Sequence, residues 1–317
     1  MKALVLEQKR VLTLQEVPAP EVGEAHELIH IEAVSIGGSE YLGFNNPGIR
    51  PIPNIMGHGF TGTTLEGMRV AVYPLLACGC CLYCLTNQEQ LCDEWSLIGV
   101  HSDGGFAEQA SIPKSQIFEL PEELSWEQSV FIEPFANSVN AWELSKAASM
   151  TSIAIIGAGS LGLGLVALAN KSGCSNIHIA ELSHARRNAA KTLGATHTST
   201  KLNETYDIVF DTVGSAETRS TTISLAKKGG KCIFLGFENP MHTINMSELI
   251  RHQKELKGSF VYSKSQFCKA IELAKNCNSS WVKNISFAEV EDTLTKFIEG
   301  DFTHIKVALR PINKSFT

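Results

Sequence analysis

The sequence predicts an α/β fold that contains a doubly wound parallel sheet, and three observations support this prediction. The chain of 317 residues is long enough for about two domains. A glycine-rich turn lies between a short β-prone stretch and an apolar, helix-like run. Further apolar runs follow, separated by polar, helix-like segments, and strands that alternate with helices build a parallel sheet. These runs are 206–214, 230–237 and 256–262.

The composition indicates a soluble, cytoplasmic protein that acts on a small molecule. With 44% hydrophobic residues, the chain can bury ample core without covalent cross-links. The net charge of −6 and the absence of a basic run argue against nucleic acid or an anionic membrane surface as a partner. The N-terminus has early charges and no apolar segment ending in a cleavage site, so we expect no secretory signal.

Four cysteines have the spacing C-x2-C-x2-C-x7-C, which is typical of a metal site. In a reducing compartment, clustered cysteines bind metal more often than they pair with each other. Four thiolates close a tetrahedral zinc site and leave no position for water or substrate, so the expected role is structural. The alternatives are a reduced, metal-free loop or a redox pair. The predicted ligands are Cys78, Cys81, Cys84 and Cys92, with Cys80 left over.

The glycine-rich turn has the pattern G-x-G-x-x-G at Gly157, Gly159 and Gly162. Glycine permits a tight turn, a close approach to a diphosphate and close packing of helix on strand. The helix that follows presents free amides, here those of Ser160 and Leu161, and the positive end of its dipole. These features predict a dinucleotide site. The apolar run around the glycine turn is not predicted to span a membrane, because it is shorter than the roughly 20 residues that a span needs.

A second predicted strand, 176–180, ends in Glu181, about twenty residues after the glycine turn. A carboxylate there accepts hydrogen bonds from the ribose hydroxyls and repels a 2′-phosphate, so NAD is predicted over NADP. Arg186 is a further candidate for cofactor binding, because an arginine near the ribose also suits a 2′-phosphate. The alternative for Arg186 and its neighbour Arg187 is a solvated helix face.

The order of these motifs, together with DGGFAE at 103–108 and Glu133-Pro134, resembles the medium-chain, zinc-type alcohol dehydrogenase superfamily. The resemblance is strongest to its polyol and sugar-acid branch, such as galactitol-1-phosphate and galactonate dehydrogenases. It implies a GroES-like β-barrel catalytic domain over residues 1–137 and 265–317. It also implies a Rossmann-type NAD-binding domain over 138–264, a substrate cleft between the two domains, and assembly as a homodimer or homotetramer.

The resemblance also implies a second, catalytic zinc, but its motifs are altered in this chain. The family pattern I-C-G-S-D reads 36-IGGSE-40 here, and G-H-E reads 57-GHG-59. Glycines thus replace the ligand cysteine and the carboxylate beside the histidine. Only His58 and Glu133 remain as candidate ligands of a degenerate catalytic site, with Ser39 and Glu40 at the serine and aspartate positions. The expected catalytic zinc is therefore absent or weakly held.

The leading hypothesis is an NAD-dependent oxidoreductase that transfers hydride between nicotinamide and a secondary alcohol of a polyol or sugar-type substrate. Ser39 would relay the proton, and His58, with an ordinary pKa of about 6.5, would act directly as the acid–base group. The rival hypothesis is a catalytically silent NAD-binding family member, favoured by the two glycines and by a shortened hairpin at 62–70. A zinc-free reductase of activated double bonds is a third, less favoured alternative.

Overall fold

The computed structural model describes residues 1–311. Its strands, in chain order, are β1 Lys2–Gln8, β2 Val11–Glu16, β3 His26–Ile36, β4 Asn54–Ile55, β5 Phe60–Thr63, β6 Arg69–Val72, β7 Leu75–Leu76, β8 Ser96–Leu97, β9 Gln109–Pro113, β10 Ile117–Glu119, β11 Ile153–Ile156, β12 Ile177–Ala180, β13 His197–Ser199, β14 Tyr206–Asp211, β15 Ala226–Phe234, β16 Glu255–Gly258, β17 Val282–Ile285 and β18 Lys306–Leu309. Its α-helices are α1 Gly38–Asn45, α2 Leu82–Leu85, α3 Trp126–Ser129, α4 Ile132–Ser145, α5 Ser160–Lys171, α6 His184–Thr192, α7 Ala216–Leu225, α8 Met246–His252, α9 Lys264–Ala274 and α10 Val290–Ile298.

The chain divides into two units, 1–133 with 277–317 and 134–276. The second unit extends beyond the predicted end at 264, because α9 packs within it. The Gln266 amide donates to Asn140 at 3.2 Å and to Glu143 at 2.8 Å, and both acceptors lie on α4. These hydrogen bonds fix α9 within the second unit.

The second unit is built on a six-stranded sheet in the order β13-β12-β11-β14-β15-β16, and every neighbouring pair is parallel. The four residues of β11 are all buried, as a strand covered on both faces requires. The chain leaves β11 toward β12 on one side and later returns to β14 on the other. Between β11 and β14 the sheet therefore has the topological switch point at which such folds bind ligands.

The first unit is a mainly antiparallel barrel arranged around β3. One sheet has the order β10-β6-β5-β3-β18-β17, with β9 also paired to β3, and a smaller sheet has the order β2-β1-β4. The long strand β3 faces the core with its second half, which is buried without interruption from residue 31 to residue 36. Strands β5 and β6 form an antiparallel hairpin, in which β5 ends at Thr63 and β6 begins at Arg69.

None of the helices within residues 1–311 combines the length and the apolar composition that crossing a bilayer requires. The apolar run that contains the glycine turn is the strand β11 followed by the helix α5. Seven of the twelve residues of α5 are buried, so its apolar character reflects packing in the sheet unit.

Candidate functional site

The cysteine loop is closed at its base by the antiparallel pair β7 and β8, in which Leu75 faces Leu97. Between these strands, one sulfur from each of the four predicted ligands lies within 4.8 Å of the others. The Sγ atoms of Cys78 and Cys84 are 3.8 Å apart, and those of Cys81 and Cys84 are 3.5 Å apart. Four sulfurs bound to one zinc at about 2.3 Å lie about 3.8 Å from each other, so the cluster fits the ion.

Backbone amides of this loop stabilise the cysteine thiolates, which are the form that binds a cation. The Cys81 amide donates to the Cys78 sulfur at 3.3 Å, and the Cys78 amide donates to the Cys92 sulfur at 3.5 Å. Backbone amides lower the pKa of Cys78 to about 6. All nine cysteines lie in the described residues as free thiols, so no disulfide competes with metal binding. Cys80, which is not one of the four predicted ligands, is exposed.

The glycine turn follows β11 and leads into α5. Gly157 has a φ of +94°, and a Cβ there would lie 2.7 Å from the Thr212 hydroxyl oxygen. A Cβ on Gly162 would lie 1.9 Å from the Gly157 carbonyl oxygen, so only glycine allows the helix to start so close to the strand. A Cβ on Gly159, by contrast, would meet nothing within 4 Å. The middle glycine thus borders open space into which a diphosphate can approach.

The start of α5 supplies the predicted amides. Gly159 is its N-cap and carries no side chain, so the amides of the first turn, including those of Ser160 and Leu161, lack a capping group. Unsatisfied amides together with the helix dipole favour an anionic ligand. The geometry is that of a phosphate-binding turn at the switch point of the sheet.

Glu181 lies directly after β12, and its carboxylate is fixed beside the glycine turn. Its two oxygens accept from the Ala158 amide at 2.7 Å and from the Ser183 amide at 2.8 Å. Arg187 donates to the carbonyls of Glu181 and Leu182 at 2.6 and 2.7 Å. The solvated-face alternative is therefore wrong for Arg187, which fixes the loop. Arg186 lies beside it on α6, capped by Ser183.

His58, in the loop between β4 and β5, is held between two carboxylates. Its Nδ1 lies 2.6 Å from an oxygen of Glu40, and its Nε2 lies 3.4 Å from an oxygen of Glu133. Glu40 is in the first turn of α1, where its other oxygen accepts from the Gly37 amide at 3.0 Å. Glu133 is in the first turn of α4. The structure thus places Glu133 and Glu40 on opposite sides of the His58 ring.

The charges around His58 change its acid–base behaviour. Burial alone would lower its pKa, but Glu40 and Glu133 outweigh this effect and raise the pKa to about 10. Burial likewise disfavours the Glu40 anion, yet His58, Lys306 and Arg50 bring the pKa of Glu40 below its ordinary value. The expected ordinary pKa of His58 was therefore wrong, because the sequence pattern did not show that both ring nitrogens face carboxylates.

Ser39 is exposed on the first turn of α1. No hydrogen bond joins its hydroxyl to His58 in the described chain. Its carbonyl accepts from Arg50 at 3.3 Å, and Arg50 packs against the backbone of α1 at Gly43. The structure therefore places Ser39 near the predicted site without a direct relay contact.

Two family comparisons and several relatives identify the chain. Residues 23–122 match the alcohol dehydrogenase GroES-like domain, and residues 160–276 match the zinc-binding dehydrogenase family. The chain belongs to the medium-chain, zinc-type alcohol dehydrogenase superfamily. It is an oxidoreductase of this superfamily, with a GroES-like barrel and a Rossmann-type unit for a nicotinamide cofactor.

Relatives of this dehydrogenase cover nearly the whole chain. Sorbitol dehydrogenase of Bacillus subtilis is 28% identical in an alignment 301 positions long, which covers 86% of this chain and 85% of that protein. L-galactonate-5-dehydrogenase of Escherichia coli is 28% identical over 303 residues, covering 85% of this chain and 86% of that one. The structure of a zinc-binding dehydrogenase from Sinorhizobium meliloti bound to NADP has a TM-score of 0.89 and 26% identity, covering 98% of this chain and 99% of that chain.

At the family's catalytic metal position, this dehydrogenase offers His58 and Glu133 as candidate ligands, and glycine stands in place of the cysteine. Within residues 1–311, the four cysteines are the only group of three or more His, Cys, Asp or Glu donors close enough to share one. Glu40 and Glu133 approach opposite nitrogens of His58, so the three side chains do not converge on one point. A Cβ on Gly59 would lie 2.8 Å from the Glu133 Cβ, which leaves no room for the family's carboxylate.

Sequence reasoning missed two charged residues of this dehydrogenase. Arg50 contacts a backbone carbonyl, for which the sequence carries no signal. The other, Lys306, lies at the start of β18, 270 positions from the carbonyl of Ile36 that it contacts. The sequence did offer a signal for Glu40, because it occupies a position where the family has an acidic residue.

Proposed function

We propose that this protein is an NAD-dependent oxidoreductase that transfers hydride between nicotinamide and a secondary alcohol of a polyol or sugar-type substrate, with the catalytic zinc absent or weakly bound. The observation that carries the proposal is the imidazole of His58 set between Glu40 and Glu133, in place of converging metal ligands. In the reductive direction the His58 imidazolium, which is the main form below its raised pKa of about 10, donates its proton to the carbonyl oxygen as hydride reaches the carbon. In the oxidative direction the neutral imidazole takes the hydroxyl proton, so oxidation is expected to increase as the pH approaches that pKa.

Two features of the site support this assignment. Imidazole is suited to moving a proton, and the flanking carboxylates stabilise its protonated form, so His58 holds a proton ready to donate at neutral pH. Ser39 is exposed on the same helix turn as Glu40, so a bound substrate or a water molecule can connect its hydroxyl to the site. We assign Ser39 the relay role and Glu133 the role of stabilising the imidazolium.

The substrate class is inferred from the relatives. Sorbitol dehydrogenase and L-galactonate-5-dehydrogenase are named for a polyol and a sugar acid, and both align with most of this chain. A small, hydroxyl-rich substrate also agrees with the absence of a basic surface run in the sequence. Dimer or tetramer assembly and a cytoplasmic location remain predictions, the first of which light scattering would check.

The experiment that tests the function combines turnover with metal analysis. We expect purified protein to carry about one zinc per chain and to reduce NAD with at least one polyol or sugar acid of a broad panel. About two zinc ions per chain, one of them lost in His58→Ala, would refute the version without a catalytic zinc. NADH binding without any turnover across the panel would support the silent family member instead.

The cofactor preference gives a separate prediction. Glu181→Gln keeps the size of the side chain but removes the charge that repels a 2′-phosphate and accepts from the ribose. Charged hydrogen bonds contribute about 1.5–3 kcal/mol, so we expect the affinity ratio of NADH over NADPH to fall at least about tenfold. Fluorescence titration of both cofactors measures this ratio.

The matched control for this prediction is Glu272→Gln, a change at an exposed glutamate on α9. It should leave both affinities unchanged. Wild-type protein that binds NADPH as tightly as NADH would contradict the assignment of NAD, and the neighbouring structure bound to NADP makes this a necessary comparison.

A further inference from the structure

The cysteine loop contains a fifth thiol that a four-thiolate zinc site does not use. Cys80 lies outside the four-sulfur group, and its side chain is exposed. Its sulfur is nevertheless 3.7 Å from the sulfur of Cys78, which is one of the four predicted ligands. A zinc ligand therefore has an uncoordinated, solvent-accessible thiol as its immediate neighbour.

The backbone between these two cysteines allows their sulfurs to meet. A disulfide has a sulfur–sulfur distance of about 2.05 Å, so the two atoms must approach each other from 3.7 Å. Gly79, the residue between them, has a φ of +76°, and a Cβ there would meet nothing within 4 Å. The chain can therefore adjust at this residue without displacing a neighbour. Because Cys80 is exposed, its side chain can also rotate toward Cys78.

The contacts of the two sulfurs give them different chemical roles. The Cys78 sulfur accepts from the Cys81 amide at 3.3 Å, and a zinc ligand is bound as the thiolate, which is the form that oxidants attack. Its side chain is partly exposed, so a small oxidant can reach it. The other three thiols of the group are occupied when zinc is bound. Cys80 is then the free thiol beside Cys78 that can complete a disulfide.

We propose that Cys78 and Cys80 form a reversible oxidation site for peroxides: oxidation joins them in a disulfide and releases the zinc of the cysteine loop, and reduction by a dithiol restores the zinc site. Cys78 is the sulfur that is oxidised first, and Cys80 is the resolving thiol. The oxidation is separate from the proposed hydride transfer, because both cysteines lie in the loop between β7 and β8.

Hydrogen peroxide supplies the oxidant for this step. The Cys78 thiolate attacks one peroxide oxygen, the oxygen–oxygen bond breaks, and hydroxide leaves, so that Cys78 becomes a sulfenic acid. The Cys80 sulfur attacks the sulfenic sulfur, the sulfur–oxygen bond breaks, and the thiol proton leaves with the hydroxide as water. Two electrons thus pass from the two sulfurs to peroxide. Three thiolates remain for the zinc, one fewer than a closed structural site has.

The test follows zinc and the two sulfurs in the full chain. Zinc-loaded wild type and Cys80→Ser are treated with hydrogen peroxide, released zinc is measured with a colorimetric chelator, and the cysteines are mapped by peptide mass spectrometry. Dithiothreitol and zinc are then added. We expect wild type to form the Cys78–Cys80 disulfide and to recover nearly all of its zinc. Cys80→Ser should instead carry Cys78 sulfinic acid, which dithiols do not reduce, and recover less than about half of its zinc.

Cys268→Ser is the matched control, because Cys268 is also an exposed cysteine but lies on α9 in the other unit. It should release and recover zinc as wild type does. NADH binding and the thermal transition report folding of each variant, and Cys80→Ala replaces Cys80→Ser if the latter does not fold.

The proposal is overturned if Cys80→Ser recovers its zinc as fully as wild type does. It is also overturned if peroxide releases no zinc from wild type, or if the disulfide of oxidised wild type joins Cys81 to Cys84 instead. A failure of the proposed function would look different: NAD-linked turnover would be absent from the panel while zinc release and recovery followed the expected order.

Discussion

Cys81→Ser is expected to release the zinc of the cysteine loop and to destabilise the barrel unit. A ligand present at a thousand times its dissociation constant stabilises the folded state by about 4 kcal/mol, and this contribution is lost with the site. For a unit of this size, that loss corresponds to a fall in melting temperature of about 10 °C. Calorimetry together with zinc analysis of the purified variant measures both effects.

Cys80→Ser provides the matched control for this result. Cys80 lies in the same loop, with its sulfur 3.7 Å from that of Cys78, but it is exposed and outside the four-sulfur group. It should retain one zinc and the wild-type melting temperature. Equal zinc content in Cys81→Ser and wild type would show that the loop is not held by a four-thiolate ion.

His58→Ala is expected to abolish most NAD-linked turnover while leaving NADH binding intact. Removal of a positioned acid–base group costs about 10²- to 10⁴-fold in rate, because no other group takes the proton in the transition state. The cofactor turn lies in the other unit of the chain, so the affinity for NADH should be unchanged. Steady-state kinetics with the best panel substrate and an NADH titration measure the two effects separately.

The control here is His252→Ala, on helix α8, where the histidine lies 3.9 Å from Glu248 one turn away. It should retain wild-type turnover. If His58→Ala kept full activity, the acid–base role would be wrong, and the two carboxylates beside His58 would have only a structural role.

The parallel sheet was predictable because its signals are local. Each central strand is a short apolar run, and the glycine pattern at 157–162 is dictated by contacts with the chain nearby, such as that between Gly162 and the Gly157 carbonyl. The cysteine loop was predictable for the same reason, since its four ligands lie within 15 consecutive residues. The spacing of residues close in sequence was therefore enough to predict both the cofactor turn and the cysteine loop.

The electrostatics of the candidate catalytic site could not be predicted in this way. The position of Glu40 depends on how α1 begins after β3, and the contact of Lys306 with Ile36 joins residues 270 positions apart. Neither arrangement leaves a periodicity or a spacing in the sequence. The protonation of His58 follows from these tertiary contacts, which is why a reference pKa was the wrong expectation.

The contact between Gly59 and Glu133 also limits which residues can be introduced at this site. A side chain at position 37 would place its Cβ at ordinary contact distance from its neighbours, but a side chain at position 59 would bring its Cβ within 2.8 Å of the Glu133 Cβ. The helix carrying Glu133 would have to shift before a glutamate could occupy position 59. Engineering of a metal centre can therefore begin with residue 37 alone, whereas a change at residue 59 requires a compensating change around Glu133.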